Sequence, residues 1–228
     1  MMKQQATTFL SVIVLILVAC NARVRAQDAP VLKPEEVPAE GRKAQDFLPR
    51  GWQIGSSVEG DLNGDRLPDY ALQLVPQGYD ASGITAAPES HALLILLSAG
   101  GGLRRAGIAT KLLVPIVPQY GLEMSLKNGV LVVNQNFGMS NVTDLTHRFR
   151  HDAASGRLLL IGKDTYSYHR PQGPEWPATR VSENYLTGVR LTTTERWLRN
   201  GKSTATTARG RASRARVFFE DVDEDPDK

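Results

Sequence analysis

The chain has 228 residues, of which 41% are hydrophobic, 22% charged and 7% aromatic, an ordinary globular composition that excludes long disorder and collagen-like repeats. A formal net charge of +3 is too small to argue for a nucleic-acid partner. A single cysteine excludes an intramolecular disulfide.

The first element is a leader. Lys3 supplies a positive n-region, and Phe9 to Ala19 is an apolar run of eleven residues, with Ser11 within it. That run suits a secretory h-region and falls short of the roughly 20 residues a membrane-spanning helix needs. Residues 1–19 are therefore assigned to a signal peptide. The run ends in Leu17-Val18-Ala19-Cys20, which resembles the bacterial lipobox at 17–20. The resemblance implies that Cys20 is lipidated, becomes the first mature residue and anchors the chain to a membrane. Asn21 follows it, not the Asp that resembles an inner-membrane retention signal. The expectation is an outer-membrane lipoprotein facing the periplasm or the surface. The competing reading is ordinary cleavage after Ala26, which gives a soluble periplasmic or secreted protein. In the plainest reading Cys20 is one more apolar residue of the leader.

Residues 20–36 are polar and Pro-rich towards their end, and read as a tether. Residues 37–47 suit one short helix between Pro38 and Pro49. From Trp52 onward the pattern is β. Trp52 to Val58 and Tyr70 to Val75 flank a polar turn, and Pro76 to Ser90 is a long loop. His91 to Leu97 is continuously apolar, as expected of a central strand buried on both faces. Leu103 to Val114, Leu122 to Leu126 and Val130 to Asn134 continue the series, with Asn128-Gly129 suited to a type I′ hairpin turn. Val142 to His151, Arg157 to Ile161, Thr165 to His169, Val181 to Leu186 and Val189 to Trp197 complete it. The fold expected is one mainly β domain over 37–198, a single antiparallel sheet or sandwich with one short N-terminal helix. Residues 199–216 carry six basic residues and no acidic one, and the acidic end follows. Residues 199–228 read as a solvated linker and tail, with Val217 to Phe219 as an optional edge strand. A basic patch for anionic lipid is the sharper alternative.

One loop carries chemistry. Residues 60–70 read Gly-Asp-Leu-Asn-Gly-Asp-Arg-Leu-Pro-Asp-Tyr. Oxygen donors fall on alternate positions: Asp61, Asn63, Asp65, the Leu67 carbonyl and Asp69. Calcium takes six to eight oxygens in irregular geometry, whereas magnesium demands a smaller, near-octahedral shell. Three close carboxylates repel one another, and a divalent cation removes that penalty. Loops of this type usually have Gly at the sixth position, where this chain has Arg66. The twelfth position is Leu72, not a bidentate Glu, so an EF-hand is rejected. Asp, Asn and Gly are also what a metal-free turn between strands requires.

The loop resembles the DxNGDGxxD element of FG-GAP and VCBS-type repeats, in which a strand, a calcium loop and a second strand form one hairpin unit. Arg50 to Val75 carries that likeness. Looser similarity to bacterial secreted proteins of unknown function, each with a single such element, extends over roughly 47–190. It rests on segments such as Asn128-Gly129-Val130-Leu131-Val132 and Asn184-Tyr185-Leu186-Thr187-Gly188. The resemblance implies that Asp61, Asn63, Asp65, Leu67 and Asp69 are ligands of a structural calcium ion.

Weaker candidates point elsewhere. His147 and His151 share a strand face but lie about 13 Å apart if extended, too far to chelate one metal, so the four histidines read as structural or surface residues. HExxH, GxSxG and P-loop patterns are absent from the sequence, and no catalytic residue is assigned. Trp52, Trp176 and Trp197 with Tyr166 and Tyr168 suit either core and rim positions or a glycan or peptide surface. The function expected is a non-enzymatic binding or structural protein of the cell envelope, with a membrane anchor and an envelope polymer or protein as partner. The alternative is a hydrolase of an envelope polymer whose site is assembled only by the fold.

Overall fold

A computed structural model describes residues 31–79, 90–114 and 119–224. The leader, Cys20 and most of the tether lie outside the described residues, as does the end of the acidic tail. Among the described residues twelve strands form two antiparallel sheets. The five-stranded sheet has the order β1 (Glu40–Gly41), β5 (Gly102–Ala109), β4 (Ala92–Ala99), β3 (Asp69–Pro76), β2 (Trp52–Gly60). The seven-stranded sheet runs β12 (Ser203–Arg211), β11 (Val189–Trp197), β10 (Ala178–Asn184), β9 (Arg157–His169), β8 (Asn141–Asp152), β7 (Val130–Phe137), β6 (Gln119–Lys127). Asn128 and Gly129 take φ of 54° and 70° between β6 and β7, the left-handed pair that a type I′ turn requires.

The sheets face each other across one core. Ala71, Leu93, Ile95 and Leu97 of the smaller sheet meet Leu131, Val133, Phe149 and Leu160 of the larger. A second cluster covers the opposite face of the smaller sheet. There Leu72, Leu74, Leu94 and Leu96 pack beneath Leu32, Val37 and Phe47 of the N-terminal arm. The apolar run of β4 is explained by this layering, because its odd residues enter one core and its even residues the other.

Three expectations need correction. The helix at 37–47 does not form. Two single 3₁₀ turns, Pro34–Glu36 and Ala44–Phe47, flank the two-residue β1, because Pro38 and Gly41 interrupt the run and Phe47 is held in the core. Arg157 to Ile161 and Thr165 to His169 are one strand, β9, bulged against β8 near Phe149. The basic stretch after Trp197 is solvated as expected but is not a linker, because residues 203–211 form the exposed strand β12. Beyond it Phe219 and Val222 are buried in the inter-sheet core, and Phe219 meets Phe149 edge-on at 5.2 Å. Charges fasten this closing segment: Arg157 pairs with Glu220 and Asp221, and Arg216 with Asp152.

Candidate metal loop at the sheet junction

The acidic loop joins β2 to β3. Its Leu62 is buried in the inter-sheet core, which draws the loop inward. Gly60 lies so close to the end of β6 that a Cβ there would stand 3.1 Å from the Leu126 carbonyl. The loop therefore sits where the edge strands of the two sheets meet.

Asp69 is fully buried. Its Oδ2 accepts the backbone N–H groups of Leu62 (2.8 Å) and Asn63 (3.3 Å), and its Oδ1 accepts that of Ser98 on β4 (2.9 Å). Burial pushes the Asp69 carboxyl above its usual range, the three N–H donors oppose that rise, and the Asp65 charge adds to it. Asp61 Oδ1 accepts from Gly64 N (2.6 Å) and Oδ2 from Arg66 N (3.0 Å). Asn63 Oδ1 accepts from Asp65 N (3.0 Å), Asn63 Nδ2 donates to Asp65 Oδ2 (2.9 Å), and Asp65 Oδ1 accepts from Leu67 N (2.8 Å). Gly64 has φ 86° and Arg66 φ 68°. Arg66 thus adopts the left-handed conformation that glycine adopts without strain.

Calcium demands oxygen donors, and Asp61, Asn63, Asp65 and Asp69 each carry them. Each ionised carboxylate oxygen has two lone pairs, so the N–H bonds leave coordination capacity on Asp61 and Asp65. Among the described residues no basic side chain pairs with Asp61, Asp65 or Asp69. Equally, no three acidic or imidazole side chains among the described residues gather closely enough to enclose an ion. The donors fit calcium in kind. In this conformation their charge is met by backbone N–H groups.

Ser98 had no signal in the sequence as the far partner of the loop, since 29 residues separate it from Asp69. Glu224 was equally hidden. It reaches back to the wholly buried His147, with its Oε1 2.9 Å from Nε2 and 2.5 Å from Lys163 Nζ. Burial works to raise the Glu224 carboxyl, but the hydrogen bonds to His147 and Lys163 outweigh it and hold it below its usual range. Burial lowers His147 in turn. His91 is buried in the core and His169 stacks on Trp176 at 4.4 Å. Trp52 is a core residue, whereas Trp176 stays half exposed. Compared with protein families, curated proteins and solved structures, the chain matches none.

Proposed function

We propose that this chain is an exported, lipid-anchored protein of the cell envelope, non-enzymatic, with a binding or structural role, and that its 61–69 loop takes up calcium as a structural ion. Asp61, Asn63, Asp65, Asp69 and the Leu67 carbonyl would hold it. The ion would supply the positive charge that three carboxylates lack and would brace the joint between the sheets. The observation that carries the reading is the φ of 68° at Arg66. The chain makes the turn that calcium loops usually assign to glycine, even though the residue is not glycine. Calorimetric titration of chelator-stripped protein with calcium tests it, with saturable one-to-one binding expected. Mass spectrometry of the mature N-terminus tests the anchor. An acylated Cys20 is expected, and a chain starting at Gln27 contradicts it.

A second reading has its own support. The N–H bonds to Asp61, Asp65 and Asp69 let the loop stand as a metal-free acidic turn. Under that reading the titration gives no heat.

A further inference from the structure

The seven-stranded sheet extends past its partner. In β10, β11 and β12 only Ala178 is buried, so both faces of this overhang meet solvent. Antiparallel residues directly opposite each other point to the same side of a sheet. The register places Thr143, Ser167, Thr179, Thr194 and Thr206 opposite one another on five successive strands. Five hydroxyls thus form one row across the sheet, about 19 Å long at ~4.8 Å per strand. Thr143 Oγ1 and Ser167 Oγ are 3.3 Å apart. Along the same face the next row reads Leu145, Thr165, Val181, Thr192, Ala208. Neither row holds an ionisable group; the row on the other side, on the same face, includes His169 and Arg196. The opposite face differs, with Arg180 beside Tyr166 in one row and Asp164 and Arg209 in the next.

An aromatic plate flanks the Thr143, Ser167 and Thr179 part of the hydroxyl row. Trp176 is 50% exposed and is backed by the His169 ring at 4.4 Å and 15°. Trp176 lines a cavity of about 360 Å³ together with Thr143, Ser167 and Thr179. Such a cleft offers one apolar plate and several groups that both donate and accept hydrogen bonds. No charge lies in the row itself; the nearest cation of this face is Arg196, one row out from Thr194 and opposite Thr204.

We infer that this cleft and the row leading from it bind a neutral glycan chain. The apolar C–H face of one sugar ring lies on Trp176, and sugar hydroxyls exchange hydrogen bonds with Thr143, Ser167, Thr179 and Thr194. A neutral polyol is the ligand class whose chemistry matches an uncharged, two-way hydrogen-bonding row flanked by an aromatic plate. The inference rests on the binding role proposed above and is independent of calcium and of the lipid anchor.

The test is affinity electrophoresis of the purified full-length protein through gels carrying hydroxyethyl cellulose, xylan or glycol chitin, with heparin and polymer-free gels beside them. At least one neutral polymer retards the wild type. Trp176→Ala weakens that retardation ~10-fold and Trp176→Phe restores most of it. Thr179→Val weakens it a few-fold. Each variant keeps the wild-type melting temperature within a few degrees, because Trp176 is half exposed and Val suits a strand. Absence of retardation in all three neutral gels overturns the inference. Retardation that survives Trp176→Ala and Thr179→Val, or that occurs in heparin alone, also overturns it. Calcium binding and N-terminal acylation are measured separately, so failure here leaves those readings standing.

Discussion

Asp69 Oδ1 accepts the backbone N–H of Ser98 at 2.9 Å, across 29 residues of sequence. Its other oxygen holds the N–H groups of Leu62 and Asn63. One carboxylate thus ties the β2–β3 loop to the end of β4, inside the protein and out of reach of water. Whatever the loop does, this bond sets its place.

Replacement of Asp69 tests that role. Asp69→Ala leaves buried N–H groups without an acceptor, at about 1–3 kcal/mol for each orphan. A loss of several kcal/mol is expected in urea unfolding, with retained cooperativity. A loss under 1 kcal/mol would mean that the loop is placed by Leu62 alone.

Arg66→Gly acts in the opposite direction. A left-handed residue with a Cβ costs roughly 1–2 kcal/mol, and glycine removes that cost while losing some of it again through greater freedom of the unfolded chain. The melt of Arg66→Gly is expected at or slightly above wild type, and calcium affinity is expected to rise. A marked drop in melting temperature would assign the Arg66 side chain a contact of its own.

Acid lability follows from the buried imidazoles. Burial lowers His91 from 6.5 to about 4, with the Leu113 backbone working the other way. A folded-state value below the unfolded one means that the unfolded chain takes up the proton first. The contribution is complete above pH 6.5 and is lost as pH falls through 4, to a total of about 3 kcal/mol. His147 is lowered in the same direction. His91→Leu is expected to flatten the stability profile between pH 6.5 and 4, read by urea titration at several pH values. An unchanged slope contradicts the assignment.

The closing segment is structural. Phe219 is fully buried against Phe149, so Phe219→Ala is expected to cost about 3–5 kcal/mol. A surface tail would cost nothing measurable. Chemical denaturation distinguishes the two.

The strand series was legible because alternating and continuous apolar runs between turn residues carry their own period, and β4 announced its double burial as Ala92 to Leu97. The N-terminal arm misled because a polar segment with Pro38 and Gly41 has no period to read. β12 was hidden for a related reason. Its residues are exposed throughout, so no apolar alternation marks Ser203 to Arg211 as a strand. The acidic loop was legible as a turn from its Asp, Asn and Gly spacing. Its tether to Ser98 was not, and neither was the row from Thr143 to Thr206, since both exist only once strands far apart in sequence are paired.

Calcium at the 61–69 loop, as proposed, is read most plainly by thermal unfolding. Chelator-stripped protein is melted with and without millimolar calcium, alongside Asp61→Ala and Asp65→Ala. Selective binding to the folded state adds about 2.7 kcal/mol at a hundredfold excess over Kd, so the wild-type melting temperature is expected to rise by several degrees. Both variants, whatever their baselines, are expected to lose that increment. A wild-type melt that does not move with calcium would contradict the account and leave the loop as a hydrogen-bonded turn.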